Sequence, residues 1–153
     1  MPDNTSKPQP NAEPFVILIG EDQETDGFFL QEAAKRLETL TSLHIVTSGQ
    51  AVLDFLKQRG AYVSAPKPDM LLLDINMPGK NGHETLSEIK SDPEIMHLPV
   101  VMLSGSDADR DLFSSYEYHA NAYVVKPGDF NDMLLLMQAL ETFWFKTAVL
   151  PRK

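Results

Sequence analysis

Met70-Leu71-Leu72-Leu73-Asp74-Ile75-Asn76-Met77-Pro78-Gly79 runs from apolar residues straight into a carboxylate and then into a Pro-Gly turn signal. An apolar run bounded by turn residues reads as a strand buried on both faces. Asp74 then stands at the strand's carboxyl end, the edge at which open α/β sheets bind ligands. A loop aspartate is as readily a helix or turn cap, so the rest of the chain has to decide between the two.

Upstream, Phe15-Val16-Ile17-Leu18-Ile19 is a second buried strand, closed by Gly20-Glu21-Asp22. Residues 25–40 follow as a helix, with Phe29, Ala33, Leu37 and Leu40 on one apolar face. Leu43–Val46 is a short strand, and Ser48 is a suitable N-cap for the helix carrying Val52, Phe55 and Leu56. A long connection, Gly60–Pro68, leads to the Met70 strand. Downstream, residues 81–90 are helical with Leu86 and Ile89 facing inward, and Pro99–Ser104 is a fourth buried strand ending in a hydroxyl. A polar helix spans residues 107–119, with Leu112 and Tyr116 as its sparse apolar face. Ala122–Lys126 is the fifth strand, and residues 129–145 form the last helix. Five β-then-α units in succession imply a three-layer α/β/α fold around a parallel sheet.

The bulk numbers bound the function. The chain has 153 residues, enough for one domain with one core, and 42% of them are hydrophobic. A formal net charge of −9 argues against direct binding of DNA or RNA, which needs a basic face. There is no cysteine, hence no disulfide framework or thiol chemistry. No stretch has membrane-spanning length and no apolar signal region opens the chain, so a cytoplasmic location is expected. Residues 1–12 are polar and proline-bearing and are expected to be a disordered leader. Residues 13–145 form the folded domain, and residues 146–153 an apolar extension.

Parallel strands share one direction, so their carboxyl ends meet at one edge. There the first strand contributes Glu21 and Asp22, the third Asp74, the fourth Ser104 and the fifth Lys126. Singly, each has a plain reading: helix-entry charges, a cap, a surface lysine. Together they form a constellation. Clustered carboxylates are held by a divalent cation, and all-oxygen ligands favour Mg²⁺ or Mn²⁺ over zinc. A hydroxyl and an ammonium opposite them suit the oxygens of a phosphoryl group, with one carboxylate free to act as nucleophile.

On these residues the chain resembles the receiver domain of two-component response regulators, the CheY-like family. The resemblance rests on Glu21-Asp22, Asp74 with Asn76, Met77-Pro78-Gly79 through Gly82, Ser104, and Tyr123-Val124-Val125-Lys126-Pro127. It covers about residues 15–145. It implies a strand order of 2-1-3-4-5 and a phospho-acceptor at Asp74. Mg²⁺ would be bound by Asp22 and Asp74, by Glu21 through water, and by the backbone carbonyl of Asn76. Ser104 would bond a phosphoryl oxygen, Lys126 would pair with its charge, and the Lys126–Pro127 bond would be cis. Tyr123 would turn inward as Ser104 moves, giving a two-state switch. The fit has departures. Glu21 stands where aspartate is commoner, the stretch between Asp22 and Asp74 is long, and His119 occupies a position where many members have glycine, so φ > 0 is expected there.

The tail and the segments Ser115–Tyr123, Leu140–Trp144 and Thr147–Pro151 are similar to the small response regulators paired with phytochrome histidine kinases. That likeness implies a sensor histidine kinase as phosphodonor, of the phytochrome type, and a homodimer through the C-terminal elements. In the last helix Met133, Leu136, Met137, Leu140, Phe143 and Trp144 form the inward stripe. Leu134, Leu135 and Phe145 lie off it and, with Val149 and Leu150, are candidates for a partner surface. With only eight residues after Phe145, the output of a stand-alone receiver would be a protein contact. Two other functions compete. An aspartyl-nucleophile phosphatase would need a second carboxylate two residues after Asp74, where Asn76 stands. A receiver-shaped scaffold that no longer takes phosphate would not need all five site residues, whereas a phosphate sink, which drains a kinase without output, keeps them and falls within the receiver reading.

Overall fold

The computed structural model describes residues 13–105 and 109–151. The expected leader, residues 1–12, lies outside the described residues, as do Asp107 at the expected start of the polar helix and the last two residues of the extension.

Five parallel strands form one sheet: β1 (Phe15–Gly20), β2 (Thr41–Val46), β3 (Met70–Asp74), β4 (Val100–Ser104) and β5 (Ala122–Val125). Their spatial order is β2-β1-β3-β4-β5. Every residue of β3 and β4 is buried, as the unbroken apolar runs predict. The helices are α1 (Glu24–Ala34), α2 (Gly49–Leu56), α3 (Gly82–Ser91), α4 (Asp109–Glu117) and α5 (Phe130–Leu140). One core lies beneath α1 and α5, built on Ile17, Ile19, Leu72, Leu103, Leu30 and Met137. The other lies beneath α2 and α3, built on Leu18, Leu71, Leu73, Val52, Leu86 and Ile89. The chain winds outward both ways from β1 and β3, so their carboxyl ends form the crevice of a doubly wound sheet. Register places Gly20 beside Leu73, Asp74 beside Leu103, and Ser104 beside Val125.

Caps fix where the helices start. Ser48 Oγ accepts from the Ala51 N–H at 3.1 Å, as expected. Asn81 and Glu84 form a reciprocal capping box at α3 (3.0 and 2.9 Å), and Asp129 caps α5 through the Asp132 N–H at 2.8 Å. Gly79 sits at φ +70° in the turn after Met77-Pro78, a conformation glycine adopts without penalty. Gly82 meets a different demand. A Cβ there would lie 2.7 Å from Ile75 Cα and against the Asp74 carbonyl oxygen, so only glycine lets α3 begin directly on the end of β3.

Several expectations are corrected. The first helix ends at Ala34, not Leu40. Its last bonds tighten to i→i+3 (Arg36 N–H to Ala33, Leu37 N–H to Ala34), and the Leu40 carbonyl is already taken by the Phe15 N–H of β1 at 2.9 Å. Leu40 is therefore extended and exposed, while Leu37 still packs on the core. On α4, Tyr116 is exposed. The buried position is Ser115, whose hydroxyl is 2.9 Å from His83 Nε2 on α3. Among the described residues there is no cis peptide bond, so Lys126–Pro127 is trans, the isomer an X–Pro bond favours by about 0.5–1 kcal/mol on its own. His119 has φ +71°, as expected.

The last helix breaks phase. After Leu140, residues Glu141–Phe145 form a π turn, with the Lys146 N–H bonded to the Glu141 carbonyl at 3.1 Å and the Ala148 N–H to that of Phe143 at 2.7 Å. The wider turn accommodates one more residue than the 3.6-residue period allows. Phe143, expected inside, is consequently exposed. Phe145, expected at a partner surface, is buried at 9% exposure and stacks on Phe15 with ring centroids 4.6 Å apart. Leu134 and Leu150 are half-buried, Leu134 packing on the core. Leu135 and Val149 are exposed, at 62% and 96%.

Candidate functional site

Three strands deliver carboxylates and a cation to one spot. Glu21 and Asp22 follow β1, Asp74 ends β3, and Lys126 follows β5. One carboxylate oxygen from each of Glu21, Asp22 and Asp74 lies within 4.8 Å of the others. Glu21 and Asp74 are buried.

Lys126 holds this cluster together. Its Nζ donates to Glu21 Oε1 at 2.8 Å, to Asp26 Oδ2 at 3.0 Å and to Asp74 Oδ2 at 3.3 Å, and the side chain is only 11% exposed. An ammonium carries three N–H donors, and all three are engaged. The Asn76 N–H donates to the other Asp74 oxygen, Oδ1, at 3.2 Å, and the Gln23 N–H to Glu21 Oε2 at 3.1 Å. Burial pushes the Glu21 carboxyl up to about 7 from its usual 4.5, against the lowering effect of Lys126 and the Gln23 N–H; the neighbouring Asp74 charge adds to the rise. Burial alone would lower the Lys126 ammonium. Its bonds to Glu21 and Asp26, with the charges of Asp74 and Glu21, outweigh that and raise it above 10.5.

One lysine does not exhaust these oxygens. Asp22 Oδ1 is buried and has no hydrogen-bond partner among the described residues. A buried orphan oxygen beside two more carboxylates costs free energy unless a cation takes it. The donor set is all oxygen, which suits Mg²⁺ or Mn²⁺, so the residues present fit such an ion.

Ser104 is buried at the end of β4, and its carbonyl accepts from the Lys126 N–H at 2.6 Å, tying the fourth and fifth strand ends together. Tyr123 lies on β5 beside Met102 and packs half-buried against the α2–α3 core. The structure thus brings Glu21, Asp22, Asp74 and Lys126 into direct association, with Asn76 in the loop after β3 and Ser104 on the adjacent strand end. Sequence reasoning missed Asp26. A weak signal exists: Asp26 stands four residues after Asp22, so the first turn of α1 returns it to the same edge. In sequence it looks like an ordinary acidic residue at a helix start.

The model of the response regulator receiver domain matches residues 17–138. The chain is 40% identical over 138 residues to the response regulator Rcp1 of Synechocystis sp., spanning 90% of this chain and 94% of that protein. Among solved structures, it superposes on the phosphorylated cyanobacterial phytochrome response regulator RcpA with a TM-score of 0.87 and 37% identity, covering 92% of this chain and 100% of that one. It superposes on the Mn²⁺-bound form of Rcp1 with a TM-score of 0.84 and 40% identity, covering 91% and 100%. Among the described residues no helix is long and apolar enough to cross a membrane.

Proposed function

The chain belongs to the response regulator receiver domain family, and we propose that it accepts a phosphoryl group on an Asp74 carboxylate oxygen from a sensor histidine kinase. Phosphoryl acceptance is the family's function. The observation that carries its assignment to Asp74 is the junction of Lys126 Nζ, 3.3 Å from Asp74 Oδ2, with the orphaned Asp22 oxygen. Cation and acceptor are pre-assembled, and phosphoryl transfer depends chiefly on positioning and charge neutralisation.

In the proposed reaction an Asp74 oxygen attacks phosphorus. A P–O bond forms, the P–N bond of the donor phosphohistidine breaks, and the leaving nitrogen takes up a proton. Asp22, Asp74 and the Asn76 carbonyl, with Glu21 through water, would hold a divalent ion, whose charge would help neutralise the transferred group. Lys126 pairs with the transferred group, and Ser104 bonds one of its oxygens. Ser104 and Tyr123 carry the change to the β4–β5 surface. The role is signalling; any hydrolysis of the acyl phosphate is self-catalysed.

The relatives named for phytochrome support a phytochrome-type kinase as donor. A self-association surface at the C-terminus would rest on Leu135, Phe143 and Val149, which are exposed, and not on Phe145. Incubation with Mg²⁺ and a small-molecule phosphodonor should label Asp74, mapped by mass spectrometry after reductive trapping. Full labelling of Asp74→Asn would sink the assignment. Phosphotransfer profiling against purified histidine kinases tests the donor, and sedimentation of Val149→Asp tests the surface.

A further inference from the structure

Lys126 has a third carboxylate partner that the phosphoryl-acceptor chemistry leaves without a role. Asp26 reaches in from the first turn of α1, its Oδ2 3.0 Å from Nζ and its side chain only 24% exposed. The three N–H bonds of Lys126 are unequal: 2.8 Å to Glu21, 3.0 Å to Asp26 and 3.3 Å to Asp74. The longest is to the acceptor itself. Once Asp74 is converted to the acyl phosphate it loses its carboxylate charge, so this bond is the one surrendered to a phosphoryl oxygen. Glu21 and Asp26 then hold the other two N–H groups, and a tetrahedral ammonium fixed by two acceptors has its third direction set. With Glu21 alone, the ammonium is free to turn about a single contact and the third N–H has no defined aim.

We propose that Asp26 is a positioning residue for phosphoryl acceptance: with Glu21 it clamps the Lys126 ammonium so that its remaining N–H points at the acceptor oxygen of Asp74. This rests on the reading of Asp74 as acceptor. A competing view of the same carboxylate is electrostatic, since a fourth negative charge near the site would repel an anionic donor. A second is structural, as a favourable acidic residue at a helix start. The three views differ in what each substitution does.

The experiment measures the initial rate of Asp74 labelling by a small-molecule phosphodonor at saturating Mg²⁺. Asp26→Ala and Asp26→Ser are compared; serine is too short to reach Nζ yet suits a helix start, and replaces alanine if the alanine variant does not fold. Either is expected to slow labelling about tenfold, the scale of one charge-assisted hydrogen bond. Asp26→Asn, whose amide oxygen can still accept from Nζ, recovers most of that loss. In a Lys126→Ala background, Asp26→Ala has no further effect, because Asp26 acts only through the lysine. A wild-type or faster rate for Asp26→Ala overturns the proposal, the latter in favour of repulsion. So does an asparagine variant as slow as alanine, a serine variant at the wild-type rate, or a further slowing without Lys126. Asp74→Asn runs alongside: labelling of that variant refutes the acceptor assignment, separately from any result at position 26.

Discussion

Replacing Lys126 with methionine tests the electrostatics of the site most directly. Methionine keeps much of the aliphatic bulk and removes only the charge. The ammonium neutralises two buried carboxylates, Glu21 and Asp74, and the half-buried Asp26, at 2.8, 3.3 and 3.0 Å. Removing one partner of a buried ion network leaves uncompensated charge, at a cost of about 3–5 kcal/mol. For a chain of this size that corresponds to a fall of roughly 6–20 °C in Tm. The loss should depend on pH in a defined direction. In the wild type, Glu21 has a folded pKa of about 7 against 4.5 when unfolded. A raised carboxyl favours the native state fully below 4.5, and that contribution disappears as pH rises through 7. At 1.36 kcal/mol per pH unit it amounts to about 3 kcal/mol. Without Lys126, Glu21 loses its main lowering influence, so its pKa climbs further and the variant goes on losing stability above pH 7, where the wild type no longer does. The deficit should thus be small at pH 5 and largest near pH 8. Mg²⁺ should narrow it, since an ion bound only to the native state stabilises by about 2.7 kcal/mol at a hundredfold excess over Kd. Urea unfolding at pH 5, 6.5 and 8, with EDTA or with Mg²⁺, measures all of this. A deficit below about 1 kcal/mol at pH 8 in EDTA, or one independent of pH, would refute the idea that Lys126 is what neutralises these carboxylates.

Mg²⁺ affinity, followed by titration calorimetry, should fall about tenfold per unit as pH drops below 7, because a proton on Glu21 competes with the ion; a flat profile between pH 5 and 8 contradicts this. Gly82→Ala should lose about 1–3 kcal/mol of unfolding stability, since its Cβ would lie 2.7 Å from Ile75 Cα and push α3 off the end of β3. Gly27→Ala, where the nearest atom is Ile45 Cδ1 at an ordinary 3.5 Å, should gain up to about 1 kcal/mol in the same assay. Phe145→Ala should cost about 3–5 kcal/mol and Phe143→Ala under about 0.5, and the reverse order would mean that the π turn does not set the phase of the last helix.

Where a residue's position follows from a strand end, the sequence suffices to place it. Buried strands are apolar throughout, so their ends are marked by the first charged or hydroxyl residue. In a parallel sheet those ends share an edge by necessity. This is why Glu21, Asp22, Asp74, Ser104 and Lys126 are recognisable as one group in the sequence. Helices carry no such marker. Their phase accumulates from the start, and one departure from 3.6 residues per turn carries every later side chain to another face. The π turn after Leu140 exchanges Phe143 and Phe145 in this way, and the only trace in the sequence is an apolar pattern too wide to assign. The early end of α1 is invisible for a related reason: Leu40 fits the helical period, but its carbonyl is claimed by Phe15, 25 residues earlier in the chain.

Asp26 shows what this costs at the site itself. As an acidic residue in a helix's first turn it is common enough to ignore, and no period or motif singles it out. What distinguishes it is Lys126, a hundred residues away, which follows β5 and gives one of its three N–H groups to Asp26. A pairwise contact between a helix start and a distant strand end depends on the sheet order that brings β5 round to the β1–β3 crevice. The members of the site that depend only on their own strand are therefore legible in sequence, whereas the one that depends on two elements meeting becomes visible only in the folded chain. It follows that receivers with the same strand-end residues can differ in how their lysine is held, and that such differences should be sought in the first turn of α1.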